Sequence, residues 1–264
     1  MPRSGKASEL LDALLKRDRR AAARLITMVE NEEPETAAIM KRINRHTGRA
    51  YVIGVTGPLG VGKSTFIDAV VKEYRNRKKS IGIVAVDPSS RVSGGAFLGD
   101  RVRLMSNIGD QGVFFRSLST RGCLGGLSRC TRNVLKILDV YGSDILVLET
   151  AGAGQADVEV QRLADTTVVI LSPAIGDEIQ LMKSGIVEIA DVFIVNKADF
   201  PGTEIMTAML NSCSPKGDWR RPVATTIANK NVGISDAVEA IEKHRSYVES
   251  LRTPKKTMRP SKKG

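Results

Sequence analysis

Eight consecutive residues, Gly57-Pro58-Leu59-Gly60-Val61-Gly62-Lys63-Ser64, fit the pattern G-x-x-x-x-G-K-[ST]. Glycines let a backbone wrap a phosphate with its N–H groups pointing inward, and a helix starting there adds the positive end of its dipole. Lys63 then brings a point charge to the β- and γ-phosphates of a nucleotide, and the Ser64 hydroxyl coordinates Mg2+. Gly57, Gly60, Val61, Gly62 and Thr65 complete the phosphate-binding set. A loop of this kind does not choose a base, but Asn196-Lys197-Ala198-Asp199 does. The Asp199 carboxylate can accept from the N1–H and 2-amino groups of guanine, a donor pair that adenine lacks. Asn196 and the stem of Lys197 brace the ring and the loop, so GTP is the expected nucleotide.

Between these strings, the apolar run 145–148 delivers Glu149, followed by Thr150-Ala151-Gly152. That places a carboxylate where a Walker-B acid holds Mg2+ or its water, and a glycine whose N–H can approach the γ-phosphate. Asp87 ends the run 81–86, and Asp100 sits in the glycine-bearing loop beyond it. Either carboxylate reads as a magnesium-side group or as a helix N-cap or solvated loop residue.

Positioning these groups requires strands that end in loops and loops that lead into helices. Short apolar runs at 51–56, 81–86, 113–115, 145–148, 167–171, 192–195 and 223–226 read as strands, with helical patterns between most of them, including 63–78 and 234–251. Continuous apolar strands alternating with helices predict an α/β fold of the P-loop NTPase type, a mainly parallel sheet covered by helices on both faces. Ligands then gather at the carboxyl ends of the strands. Ahead of this, apolar residues from Leu10 to Val29 recur at helical spacing, predicting one helix over 8–30, and Pro34 opens a second that runs to about His46. The expected division is a helical extension over 1–48, a nucleotide-binding domain over 49–251 and a basic tail over 252–264.

The chain has 264 residues, 42% hydrophobic and 26% charged, which suits one large globular domain with an extension. No apolar run approaches the ~18–20 residues that span a bilayer, and the first ten residues lack the apolar stretch of a signal peptide, so a cytoplasmic protein is expected. The net charge of +11 invites a polyanionic partner, but Arg252, Lys255, Lys256, Arg259, Lys262 and Lys263 supply six of those charges from the end of the chain. With aromatic residues at 4%, no specific nucleic-acid partner is expected. Three cysteines and two distant histidines give neither a disulfide framework nor a zinc site.

Taken together, these strings resemble the methylmalonyl-CoA mutase-associated GTPases, the MeaB/ArgK family within the SIMIBI class of P-loop proteins. The resemblance runs from about Leu10 to Val248 and rests on Gly54-Val55-Thr56-Gly57 leading into Gly60 to Thr65, Asp87-Pro88-Ser89-Ser90, Gly94-Gly95 through Leu98-Gly99-Asp100, Glu149 through Gln155, Gly176-Asp177-Glu178-Ile179-Gln180 and the Asn196 to Asp199 motif. It implies a GTPase chaperone that assists adenosylcobalamin loading or protection of a B12-dependent acyl-CoA mutase, the adenosylcobalamin belonging to that partner. It assigns Asp87, Asp100 and Glu149 to the Mg2+ and switch region and residues 176–183 to a further switch facing the partner. Ala228 matches the last guanine-contacting position, although Ile227 stands where the family usually has Ser, and Pro58-Leu59 departs from the usual loop tip. Family members usually continue past the helix near 234–251 into a dimerising arm; this chain runs into its basic end instead, which leaves a homodimer open.

The expected mechanism is gating by slow hydrolysis, with GTP and Mg2+ ordering the loops that carry Asp87 to Asp100, Gly152 to Gln155 and residues 176–183. The candidate catalytic set is Lys63, Asp87, Asp100, Glu149 and Gln155, where Gln155 is a candidate for positioning the attacking water and no residue is an obvious base. Turnover is expected to be slow until the mutase accelerates it. Two other readings are a nucleotide-gated scaffold with negligible catalysis, which turnover measurements with and without a mutase discriminate, and a metallochaperone-type GTPase of the same class. The latter typically carries a Cys/His element, and this sequence has none.

Overall fold

The computed structural model describes residues 3–87, 109–119, 130–150, 159–175 and 185–252. Seven parallel strands form the central sheet in the order β3-β2-β4-β1-β5-β6-β9, with β1 Tyr51–Thr56, β2 Ile81–Asp87, β3 Val113–Ser119, β4 Ile145–Thr150, β5 Thr166–Leu171, β6 Val192–Asn196 and β9 Val223–Thr226. The doubly covered parallel sheet read from the sequence is the one observed. In β4 every residue is buried: Ile145 and Val147 join one core while Leu146 and Leu148 join the other. Side chains alternate across a strand, so an unbroken apolar run is the pattern of a strand buried on both faces.

One face is covered by α4 Lys63–Asn76 and α8 Ile234–Arg252, whose Phe66, Ile67, Val70, Val71, Val238 and Ile241 pack on the strands. The other face carries α1 Arg3–Leu15, α2 Arg19–Glu30, α3 Thr36–Ile43, α5 Thr131–Tyr141, the single turn α6 Ile186–Ile189 and α7 Thr203–Ser212. Leu14, Leu25, Ile26 and Ile43 of the first three helices are fully buried in the same cluster as Leu138 of α5 and Leu148 of β4. No helix among the described residues is long and apolar enough to cross a membrane.

The single helix expected over 8–30 is two helices. Asp18 caps α2 through a 2.8 Å hydrogen bond from the Ala21 N–H, and Arg17 turns the chain at φ 61°. A side chain that caps a helix competes with continuing the preceding one. The break was hidden because both helices bury one apolar stripe in one core. β3 extends to Ser119 rather than stopping at Phe115, with Arg116 in the strand paired to Glu30 of α2. A two-stranded antiparallel ribbon, β7 Pro215–Lys216 and β8 Trp219–Arg220, is additional to the expected strands.

Buried Asp139 on α5 fixes the entry into β1: its carboxylate accepts backbone N–H groups from Gly48 at 2.5 Å, Arg49 at 3.2 Å and Ala50 at 2.9 Å. Removing it would take the charged acceptor away from three backbone N–H groups at once. Asp139→Ala is therefore expected to destabilise the protein by about 2–4 kcal/mol with an unchanged denaturant m-value, read from urea unfolding. A loss below about 1 kcal/mol would mean that water serves these amides.

Candidate functional site

The phosphate loop leaves the carboxyl end of β1, which lies between β4 and β5 in the sheet. Two of its glycines are sterically required. Gly57 has φ 145°, and a β-carbon there would collide with the Ile170 carbonyl oxygen of β5. Gly62, at φ 93°, precedes α4, and a β-carbon would lie 2.6 Å from Nδ2 of Asn196. The loop can therefore lie flat against its neighbours only with these residue types.

Lys63 opens α4 and is 8% exposed. Its Nζ donates to the carbonyls of Gly57 at 2.8 Å and Pro58 at 3.0 Å, so the ammonium is held across the loop it follows. The Ser64 hydroxyl donates to Glu149 Oε1 at 2.7 Å, bringing the start of α4 against the end of β4. Val55 and Glu149 are register partners, and next to them Thr150 Oγ1 donates to Thr56 Oγ1 at 2.9 Å. A hydroxyl that donates its proton to a carboxylate presents its lone pairs outward, and a hydroxyl with a carboxylate is the hard oxygen donor set that suits Mg2+. Asp87 ends β2, the strand beside β4. The side chain of Asp87, together with Asp100, Gly152, Gln155 and residues 176–183, lies outside the described residues.

At the other end of the site, Asn196 closes β6 and is buried. Its Nδ2 donates to the Val61 carbonyl at 2.8 Å, while its Oδ1 accepts from Thr226 Oγ1 at 3.0 Å and from the Ala228 N–H at 3.1 Å. Only this orientation of the amide works, because a flip would set its NH2 against the Ala228 N–H and its oxygen against the Val61 carbonyl. One side chain thus joins the phosphate loop to the turn after β9. Lys197 follows at φ 58°, and the Ala198 N–H donates to the Thr226 carbonyl at 3.0 Å, tying the two turns a second time.

Between the loop and these turns lies a pocket of about 250 Å³. Gly62 and Thr65 border it at the phosphate end, Lys197, Asp199 and Phe200 on one side, and Ala228 and Asn229 on the other. The Asp199 carboxylate sits 3.0 Å from Lys230 Nζ, and that ammonium holds its carboxyl below the usual carboxylate range. Gly62, Thr65, Asn196, Lys197, Asp199 and Ala228, widely spaced in sequence, all border this pocket, and Ser64 meets Glu149 beside the same loop. Thr226, Phe200, Asn229 and Lys230 were not anticipated. Thr226 had a signal, since it ends the strand beside β6 and is the register partner of Asn196.

Residues 22–263 match the family described as Methylmalonyl Co-A mutase-associated GTPase MeaB. A protein of Pyrococcus abyssi named as a GTPase is 44% identical over 248 residues, covering 91% of this chain and 76% of the relative. The mitochondrial methylmalonic aciduria type A homolog of Mus musculus is 34% identical over 204 residues, covering 72% of this chain and 49% of its own. Among solved structures, a LAO/AO transport system kinase superposes with a TM-score of 0.76 at 24% identity, covering 95% of this chain and 78% of its own, which establishes a shared fold.

The bridging role of Asn196 makes a direct test. Asn196→Ala is expected to weaken GDP binding by at least about tenfold, because it frees the phosphate loop from the base turn and strands buried polar groups. Gly62→Ala should reproduce that loss through its clash with the same side chain. Calorimetric titration of both variants, each first checked for an intact melting transition, reads the effect, and unchanged affinity in Asn196→Ala would show that the bridge is dispensable.

Proposed function

The chain belongs to the methylmalonyl-CoA mutase-associated GTPases, and from that premise we propose that it gates a B12-dependent acyl-CoA mutase, assisting adenosylcobalamin loading or protection with guanine nucleotide as the switch. The observation that carries the nucleotide half of this reading is the Asn196 side chain, which joins the phosphate loop at Val61 to the turn at Ala228 around one pocket. A pocket framed in this way has the phosphate loop, followed by Lys63, at one end and the Asp199 carboxylate at the other. That polarity suits a nucleotide whose phosphates are anionic and whose base carries adjacent donors.

In this reading Asp199 accepts the N1–H and 2-amino protons of guanine, and Lys63 Nζ neutralises charge that builds on the β- and γ-phosphates during bond cleavage. Mg2+ would be held by Ser64 and Glu149, with Asp87 and Asp100 as further magnesium-side carboxylates, and would supply additional positive charge to the phosphate oxygens. The 2.7 Å bond between Ser64 and Glu149 supports the assignment of those two groups. Gln155 and the N–H of Gly152 are the groups proposed to meet the attacking water and the γ-phosphate. The mutase half of the reading rests on the family and on the mouse relative's name.

Steady-state turnover tests the nucleotide assignments. GTP should be preferred to ATP by at least about a hundredfold in kcat/KM, since adenine offers the Asp199 carboxylate no pair of donors, and equal use of both nucleotides would refute the guanine reading. Lys63→Ala should lower kcat by about a hundredfold or more, the scale of losing one aligned charge on the transition state. For the partner, the immobilised protein loaded with a non-hydrolysable GTP analogue should retain an acyl-CoA mutase from native extract, and adding that mutase should raise GTP turnover. If purified mutase neither binds nor changes turnover, the chaperone assignment fails.

A further inference from the structure

The carboxylate assigned to guanine is engaged from behind by a lysine on another segment of the chain. Lys230 Nζ lies 3.0 Å from Asp199 Oδ2 although the two residues are 31 apart in sequence. The approach is set by backbone: Ala228–Lys230 is a single 3-10 turn, Asn231 closes it at φ 57°, and Ile227 and Val232 bridge across its base. The start of that turn is fixed by Asn196 through the Ala228 N–H. Lys230 is therefore presented to Asp199 by the same side chain that frames the pocket. Residue 227, at the head of the turn, is isoleucine and has no side-chain donor. Among the described residues, the side chain donating to Asp199 is that of Lys230.

We propose that Lys230 is a positioning residue for base selection, orienting the Asp199 carboxylate so that both oxygens face the two guanine donors. This rests on the assignment of guanine recognition to Asp199. An ionised carboxylate has about four acceptor sites on two oxygens, so one ammonium on Oδ2 leaves room for one guanine donor on each oxygen. The pair is not a competitor for the base. The pair is half-solvated, with side-chain exposures of 58% for Lys230 and 36% for Asp199, and such pairs add little to folding. A purine ring laid against Asp199 removes water from one side of the pair and strengthens its electrostatics. The consequence is specific: Lys230 matters for binding and discrimination and hardly at all for stability.

The test compares GDP with IDP, whose hypoxanthine base keeps N1–H and lacks the 2-amino group. Binding is measured by calorimetry on the full chain for the wild type, Lys230→Met and Lys230→Arg. The expected result is that Lys230→Met melts like the wild type, binds GDP about three- to tenfold more weakly, and loses less affinity for IDP, so that the GDP-to-IDP ratio shrinks. Lys230→Arg, which still donates to a carboxylate, should restore both affinity and ratio. A Lys230→Met protein with unchanged or tighter GDP binding, or one that weakens both ligands equally, overturns the role of Lys230 while leaving that of Asp199 standing. A wild type that binds GDP and IDP equally overturns the Asp199 assignment and the proposal with it.

Discussion

The buried carboxamide of Asn196 joins two segments that are far apart in sequence, and its bonds to Val61 in one and to Thr226 and Ala228 in the other fix the spacing between the phosphate loop and the base turn. A buried amide that loses any of these partners keeps the desolvation cost and gives up the compensation, so the arrangement favours all bonds made together. Gly62 is the steric side of the same constraint, since only a residue without a β-carbon leaves room for Nδ2. Pocket length is thus set before any nucleotide arrives, which reduces the ordering that binding would otherwise require.

The charged groups of the phosphate end obey a related rule. Lys63 and Glu149 are each 8% exposed, and ions removed from water to that degree need partners. The ammonium finds them in two loop carbonyls and the carboxylate in the Ser64 hydroxyl. In the proposed reading, nucleotide binding would exchange these partners for phosphate and magnesium, and its free energy would be the difference between two bonded arrangements. A site of this kind can change state with modest energy, and Glu149-Thr150 leads directly into residues 151–158, the segment expected to respond to the γ-phosphate.

What the sequence disclosed follows from the range of the interactions involved. The loop from Gly57 to Ser64 and the string from Asn196 to Asp199 were legible because their function depends on contiguous residues, and the sheet was legible because burial on both faces leaves uninterrupted apolar runs. The break between α1 and α2 was not, because Leu14 and Leu25 recur at helical spacing in one core and the helices are separated by the left-handed Arg17 and the capping bond of Asp18. Strand β3 was underestimated at Arg116, whose charge is answered by Glu30 on a distant helix. The pairing of Lys230 with Asp199 depends on a left-handed residue at Asn231 and on the register of β9 beside β6, neither of which a linear pattern encodes.

The two helices on one face extend this framing beyond the pocket. α4 starts at the phosphate loop with Lys63, and α8 starts four residues after the turn that ends at Lys230, so each grows from one end of the nucleotide site. Deep along both, the buried Tyr74 hydroxyl donates to Glu242 at 2.8 Å, and Arg77 pairs with Glu239 at 2.9 Å. Tyr74 is 11 residues into α4, about 16 Å along the axis at 1.5 Å per residue. Asn196 ties the segments that lead into the two helices, and Tyr74 with Arg77 ties the helical segments to each other further along. Bracing at both ends resists a change in the spacing of phosphate loop and base turn. Asp87 and Thr150, at the ends of β2 and β4, lie on the other side of β1 from the turn that ends at Lys230.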